Sequence, residues 1–180
     1  TNINIYAVDI SKDALELKKE NAKLNNVNIN FYNGDMLKPL NKRYEKLFAY
    51  VPQDNLLMEG TIKEVITLFS DNPNNELFNK ALDISESSTF VNALANKGDT
   101  YLNEKGSGLS LGEMERIAIA RAIYSDSPIL LLDECSASLD SNTEAKVMSN
   151  ILNMQNKTII LISHHKYDET LFDKVIDLGE

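Results

Sequence analysis

Apolar and polar residues alternate over positions 3–8 and again over 27–32, the period-two spacing of strands. Between them Ala14, Leu15, Leu17, Ala22 and Leu24 recur at helical spacing behind Ser11, a favoured N-cap residue. Residues 1–40 thus predict a Rossmann-like strand-helix-strand unit. Its first strand ends at Asp9, and its second ends at the turn signal Asn33-Gly34-Asp35. Positions 47–51 form a short apolar strand cut off by Pro52. Positions 61–69 predict a helix broken at Asp71-Asn72-Pro73, and 75–95 predict one or two more, the second starting near Ser87-Ser88. A glycine-containing loop over 97–108 leads to Ser110, which with Glu113 forms a capping box for a helix running through Ile123. The unbroken aliphatic run 129–132 suits the centre of a parallel sheet. A helix over 142–154, a strand over 158–162, a short helix near Tyr167 and a last strand around 175–178 complete an α/β pattern.

Composition narrows the choice. The 180 residues suffice for one domain, or a large domain with a short appendage. Hydrophobic residues at 43% and charged residues at 25% are ordinary globular usage, enough to bury a core. Eighteen basic against 27 acidic residues give a net charge of −9, which argues against non-specific binding of nucleic acid. One Cys precludes an intrachain disulfide and a Cys-rich zinc site, and two His are too few for a His-rich metal site. No apolar run approaches the roughly 20 residues of a membrane-spanning helix. The first residues lack the basic start of a secretory leader. The chain begins at Thr1 rather than Met, as expected of a processed start or an excerpt of something longer.

Candidate chemistry collects at strand ends. The run 129–132 is followed by Asp133 and Glu134, and parallel sheets bind ligands at the carboxyl ends of their strands. There Asp133 is suited to hold hydrated magnesium and Glu134 to polarise an attacking water. A solvated acidic turn is the plainer reading of the same two residues. Ser110 and the backbone amides that follow stand at a helix N-terminus, a natural anion site, or simply a capped helix after a loop. The strand over 158–162 leads to Ser163 and His164, where an imidazole reaches a bound phosphate or serves as a surface residue. Gln53, just past another strand, is able to touch a metal or a water.

In this order the segments resemble the nucleotide-binding domain of an ATP-binding cassette (ABC) transporter. Val51-Pro52-Gln53 resembles the family's glutamine loop, and Leu109-Ser110-Leu111-Gly112-Glu113 its signature motif, continued by Arg116-Ile117-Ala118-Ile119-Ala120-Arg121-Ala122. The acidic strand end resembles its Walker B segment, which implies Asp133 as the magnesium-side acid and Glu134 as the catalytic base. Ser138-Leu139-Asp140 resembles the loop that meets a partner subunit, and His164 the switch histidine. Residues 56–62 and the stretch Thr100 to Gly106, with Glu104 as its acid, are similar to the exporter branch. The resemblance implies a partial P-loop NTPase core over 41–180, with a helical subdomain at about 61–108. It implies catalytic roles for Glu134, His164 and Gln53, nucleotide contacts from Ser110, Leu111, Gly112 and Glu113, and magnesium at Asp133 and Gln53. Asp140 and Glu104 would face partners. ATP and Mg2+ follow as ligands, with a second nucleotide-binding domain and an exporter's transmembrane domains as partners. The location that follows is cytoplasmic, at the inner face of the plasma membrane. Leu111 stands where the family prefers Gly, and Glu113 where it prefers Gln.

None of the seven glycines, at 34, 60, 98, 106, 108, 112 and 179, sits in G-x-x-x-x-G-K-[ST], the Walker A loop that cradles phosphates. The expectation is a domain impaired alone, which keeps the half that donates the signature. Residues 1–40 resemble a fragment of an S-adenosylmethionine-dependent methyltransferase of the release-factor glutamine type. That implies Asp9 for the ribose hydroxyls and Asp35 near the adenine. A purely structural strand-helix-strand unit is the preferred reading of the same residues. The change of resemblance near residue 40 suggests two partial genes joined, or an excerpt of a rearranged locus, although residues 30–40 also fit the cassette family's own early strand and turn. A methyltransferase fragment, or a non-catalytic remnant pairing with an intact ABC domain, are the alternatives carried forward.

Overall fold

The computed structural model of the chain describes residues 5–9, 16, 19–20, 23, 29–33, 47–53, 59–103, 108–165 and 167–176. The expected Ser11 cap, the apolar helix positions 14, 15, 17, 22 and 24, Asp35, residues 54–58, Glu104, Gly106 and positions 177–178 lie outside them. The chain divides into two compact units, Thr1–Glu45 and Lys46–Glu180.

In the first unit β1 (Ile5–Asp9) and β2 (Ile29–Asn33) run parallel, with Ile5 opposite Ile29 and Asp9 opposite Asn33. Parallel neighbours need a crossover, and Glu16, Lys19, Glu20 and Lys23 between them are helical. The predicted strand-helix-strand order is therefore present, and Asp9 is the last residue of its strand.

The second unit is built on a three-stranded parallel sheet. β3 (Phe48–Val51), β6 (Ile129–Asp133) and β7 (Thr158–Ile162) pair in the order β3-β6-β7. Their register aligns Val51 with Leu132 and Leu132 with Leu161, so all three strands end on one side. Between β3 and β6 the chain makes the antiparallel ribbon β4 (Gly60–Thr61) with β5 (Tyr101–Leu102) and the helices α1 (Ile62–Ile66), α2 (Asn75–Ile84), α3 (Ser88–Ala93) and α4 (Leu111–Tyr124). Helix α5 (Ser141–Leu152) links β6 to β7, the crossover that parallel neighbours need.

The core is one continuous cluster. Ala49, Val51, Leu130 and Leu132 from the sheet join Ile117, Ile119, Ala120 and Ile123 of α4, Ile62, Val65 and Ile66 of α1, and Val147 and Ile151 of α5. Helix α4 is the hub, because it packs against β3, α1 and α2 at once. Strand β6 is central, as its aliphatic run predicts, yet it is buried on one face only. Leu130 and Leu132 are covered, while Phe48, Tyr50, Ile160 and Ile162 stand exposed on the opposite face of the sheet.

Three boundaries differ from the pattern-based expectation. Helix α1 stops at Ile66 instead of Phe69, because Leu68 and Phe69 adopt left-handed backbone conformations that no helix continues through. The Phe69 ring folds back over Gly60, where a Cβ would meet it at 3.0 Å. Within the expected loop, Lys97–Asp99 form a 3-10 turn and Tyr101–Leu102 form β5. Val175 and Ile176 are exposed and outside any strand, since apolar residues need a ladder partner to make one. The expected capping box at Ser110–Glu113 is present, and a second, Thr61–Glu64, which the pattern reading did not name, closes the same way at α1.

Replacing Leu132 by Ala should cost about 2–5 kcal/mol in urea unfolding, the usual range for a buried leucine. Ile160→Ala on the exposed face should cost under about 1 kcal/mol. Equal losses would contradict the one-sided core.

Candidate functional site

The aligned strand ends make the site. Asp133 is the final residue of β6, and Glu134 follows with φ +47°, a left-handed conformation that turns the chain sharply. The Glu134 N–H donates to Ile162 O at 2.9 Å, which ties that turn to the end of β7. Gln53 lies two residues beyond β3, and His164 two beyond β7. Both reach the same carboxylate. Gln53 Nε2 donates to Glu134 Oε2 at 2.7 Å, and His164 Nε2 lies 2.6 Å from Glu134 Oε1. A carboxylate only accepts, so this network assigns the Gln53 amide and puts a proton on His164 Nε2. The imidazole is 87% exposed against 19% for Glu134, so the carboxylate is sheltered and its neighbour faces solvent.

Asp133 accepts a hydrogen bond from the Tyr50 hydroxyl at 3.0 Å. Partial desolvation, and then that bond to a carboxylate, push the Tyr50 phenol above its ordinary value. Among the described residues no group of three or more His, Cys, Asp or Glu is arranged to hold a metal. The donor chemistry nevertheless fits magnesium. Asp133 offers a hard carboxylate, and Gln53 keeps its amide oxygen free of the Glu134 contact. Magnesium is commonly held by one or two carboxylates together with substrate phosphates.

The segment 134–139 joins this cluster to the start of α4. Ser138 N–H donates to both carboxyl oxygens of Glu115, at 3.1 and 3.0 Å, and Glu115 is only 3% exposed. Gly112 sits against the same segment: a Cβ there would come within 2.9 Å of Ser138 O. Glycine is required by this backbone approach, quite apart from any ligand. Ser110 caps α4. Its N–H and hydroxyl donate to Glu113 Oε2 at 2.7 and 2.9 Å, and the Glu113 N–H returns to Ser110 Oγ at 3.3 Å. Leu111 is 61% exposed. Asp140 caps α5 by accepting the N–H groups of Asn142 and Thr143, both at 3.1 Å. Hydrogen bonds from Thr143, side chain before backbone, hold its carboxyl below the usual range.

The structure therefore brings Gln53, Asp133, Glu134 and His164 to one edge of the sheet. Ser110, Leu111, Gly112 and Glu113 are gathered instead at the α4 N-terminus, beside Ser138. Asp9 ends β1 in the other unit, and Asp35 and Glu104 lie outside the described residues. Three participants escaped the sequence reading. Tyr50 alternates as any strand residue does. Glu115 shares a helical stripe with Ala118, Ile119 and Ala122, and a carboxylate on that buried stripe was the available signal. Glu144 gave no signal, yet its Oε1 accepts from Ser136, Tyr167 and His165 at 2.9, 2.7 and 2.7 Å. Burial pushes the Glu144 carboxyl up, but these hydrogen bonds outweigh it and leave it below the ordinary glutamate value.

The family model described as ABC transporter matches residues 15–137, a span that contains Gln53, Ser110, Gly112, Asp133 and Glu134. The chain is 38% identical over 147 residues to the β-(1→2)glucan export ATP-binding/permease protein of Rhizobium johnstonii, covering 81% of this chain and 25% of that protein. It is 34% identical over 141 residues to the lactococcin-G-processing and transport ATP-binding protein of Lactococcus lactis subsp. lactis, covering 78% of this chain and 20% of that protein. The solved structure of a bacterial Atm1-family ABC exporter with ATP bound superposes with a TM-score of 0.66 at 25% identity, over 90% of this chain and 29% of that one. The chain thus spans about a quarter of the length of the first of these relatives.

Two measurements follow. Gly112→Ala forces a Cβ onto Ser138 O and should lower stability by about 1–3 kcal/mol in denaturant unfolding. Cys135 is buried, and desolvation, reinforced by the nearby carboxylates Glu115, Asp133 and Glu144, pushes its thiol up to about 12. The folded chain should therefore resist iodoacetamide at pH 8 and react only on unfolding, as counted by mass spectrometry.

Proposed function

The chain belongs to the ABC transporter family as an ATP-binding domain of exporter type, and on that premise we propose that it supplies one side of a nucleotide sandwich that drives a membrane exporter. The observation that carries this reading is the single carboxylate of Glu134 held by both Gln53 and His164 at the carboxyl edge of a parallel sheet.

In this reading Glu134 is the general base for a water that attacks the γ-phosphate. Its oxygens are aimed by the Gln53 amide and the His164 imidazole, and a sheltered base oriented by two donors keeps its geometry through proton transfer. His164 is exposed enough to meet a phosphate directly. Asp133 and the Gln53 amide oxygen would hold Mg2+, and the bound ion would neutralise charge on the phosphate oxygens. Tyr50 keeps the Asp133 carboxylate oriented. Ser110 and Gly112 would meet the nucleotide of a second domain through the α4 N-terminus. For that the Ser110 hydroxyl must turn away from Glu113. Asp140 would lie at the contact between domains, Glu104 would meet the transmembrane part, and the chain would sit at the cytoplasmic face of the membrane. Among the described residues no helix is long and apolar enough to cross a membrane itself.

The 180 residues contain no G-x-x-x-x-G-K-[ST]. The reading therefore assigns to this chain the signature half of the sandwich, and the phosphate loop to its partner. Purified alone, it should turn over ATP far below the roughly 1 s⁻¹ floor of ordinary enzymes in a phosphate-release assay. Ordinary turnover that Glu134→Gln cut by roughly 10²–10⁴-fold would show that this chain cradles phosphate by itself, and would overturn the assignment.

A further inference from the structure

Two segments must keep station for Glu134 and His164 to meet: the loop after β6 and the stretch after β7. Backbone bonds inside the loop run from Ala137 to Glu134 O and from Leu139 to Ser136 O. Neither reaches the histidine segment. Beyond the Glu134 N–H bond to Ile162 O, the Glu134–His164 contact itself and a long 3.5 Å contact between the Ser136 and Tyr167 hydroxyls, the described side-chain fastening between the two segments converges on one oxygen. Glu144, on the first turn of α5, turns its Oε1 toward both. From the loop, Ser136 Oγ donates at 2.9 Å, two residues after Glu134. From the histidine segment, His165 Nδ1 lies at 2.7 Å, one residue after His164, and the Tyr167 hydroxyl donates at 2.7 Å. Ser136 is buried and the Glu144 side chain is 13% exposed, so this junction is largely shielded from competing water. Tyr167 is anchored in turn by an edge-to-face contact with Phe172, ring centres 6.2 Å apart.

We propose that Glu144 is a positioning residue: its Oε1 clamps Ser136 to His165 and Tyr167 and thereby sets the contact between Glu134 and His164. It touches neither substrate nor reacting atoms. The inference rests on the reading of Glu134 and His164 as the water-activating pair, but the contact it concerns exists without nucleotide and is tested without it.

The chain has only two histidines, so their ring carbon–proton resonances are resolved and assignable in the full chain. Substituting Glu134→Gln should move the His164 signal in the parent chain. The same substitution in a Glu144→Ala background should move it by about half as much or less, because the two segments are no longer held in register. Tyr167→Phe removes one of the three bonds to Glu144, together with the long Ser136 contact, while keeping the ring, and should give an intermediate response; it decides the matter if Glu144→Ala does not fold. An undiminished His164 response in either folded variant would overturn the clamp. Because no ATP is present, that failure is distinct from a failure of the turnover experiment.

Discussion

The parallel register of β3, β6 and β7 is the constraint on which the rest depends. It puts Val51, Leu132 and Leu161 level, so the chain leaves all three strands at one edge. Gln53, Glu134 and His164 each follow within two residues of a strand end, and short reach leaves them little choice but to converge. The left-handed turn at Glu134 completes the geometry. A non-glycine residue held there costs of order 1 kcal/mol, and the bonds to Ile162 O, Gln53 and His164 offset it.

The second organising feature is the segment 134–139, which is gripped from two directions. Glu115 on α4 holds Ser138, and Glu144 on α5 holds Ser136. Both carboxylates are sheltered; Glu115 accepts twice from Ser138, while Glu144 divides its acceptance between Ser136 and the segment after β7. Gly112 allows α4 to approach it closely. The start of α4 and the end of β6 are thereby mechanically joined, although Ser110–Glu113 and Glu134 belong to different clusters.

The candidate site residues were readable because they punctuate apolar runs. Asp133, Glu134 and His164 stand out at the ends of aliphatic strands, and Ser110 with Glu113 carries its capping geometry in a three-residue spacing. Their supports were not readable, because each contact joins positions far apart in the chain. Tyr50 and Asp133 are 83 residues apart, and Glu144 and Tyr167 are 23 apart. Helix lengths failed where tertiary packing won, as at Phe69, which prefers the surface of Gly60 to another helical turn. The family match begins at residue 15, inside the stretch whose pattern resembles a methyltransferase fragment. No observation among the described residues favours a nucleoside site at Asp9 and Asp35.

The convergence on Glu134 is open to direct measurement in solution. Nuclear Overhauser contacts from the Glu134 side-chain methylenes should reach both the Gln53 amide protons and the His164 ring. Finding either group in contact with other residues, and neither with Glu134, would contradict the account at its root.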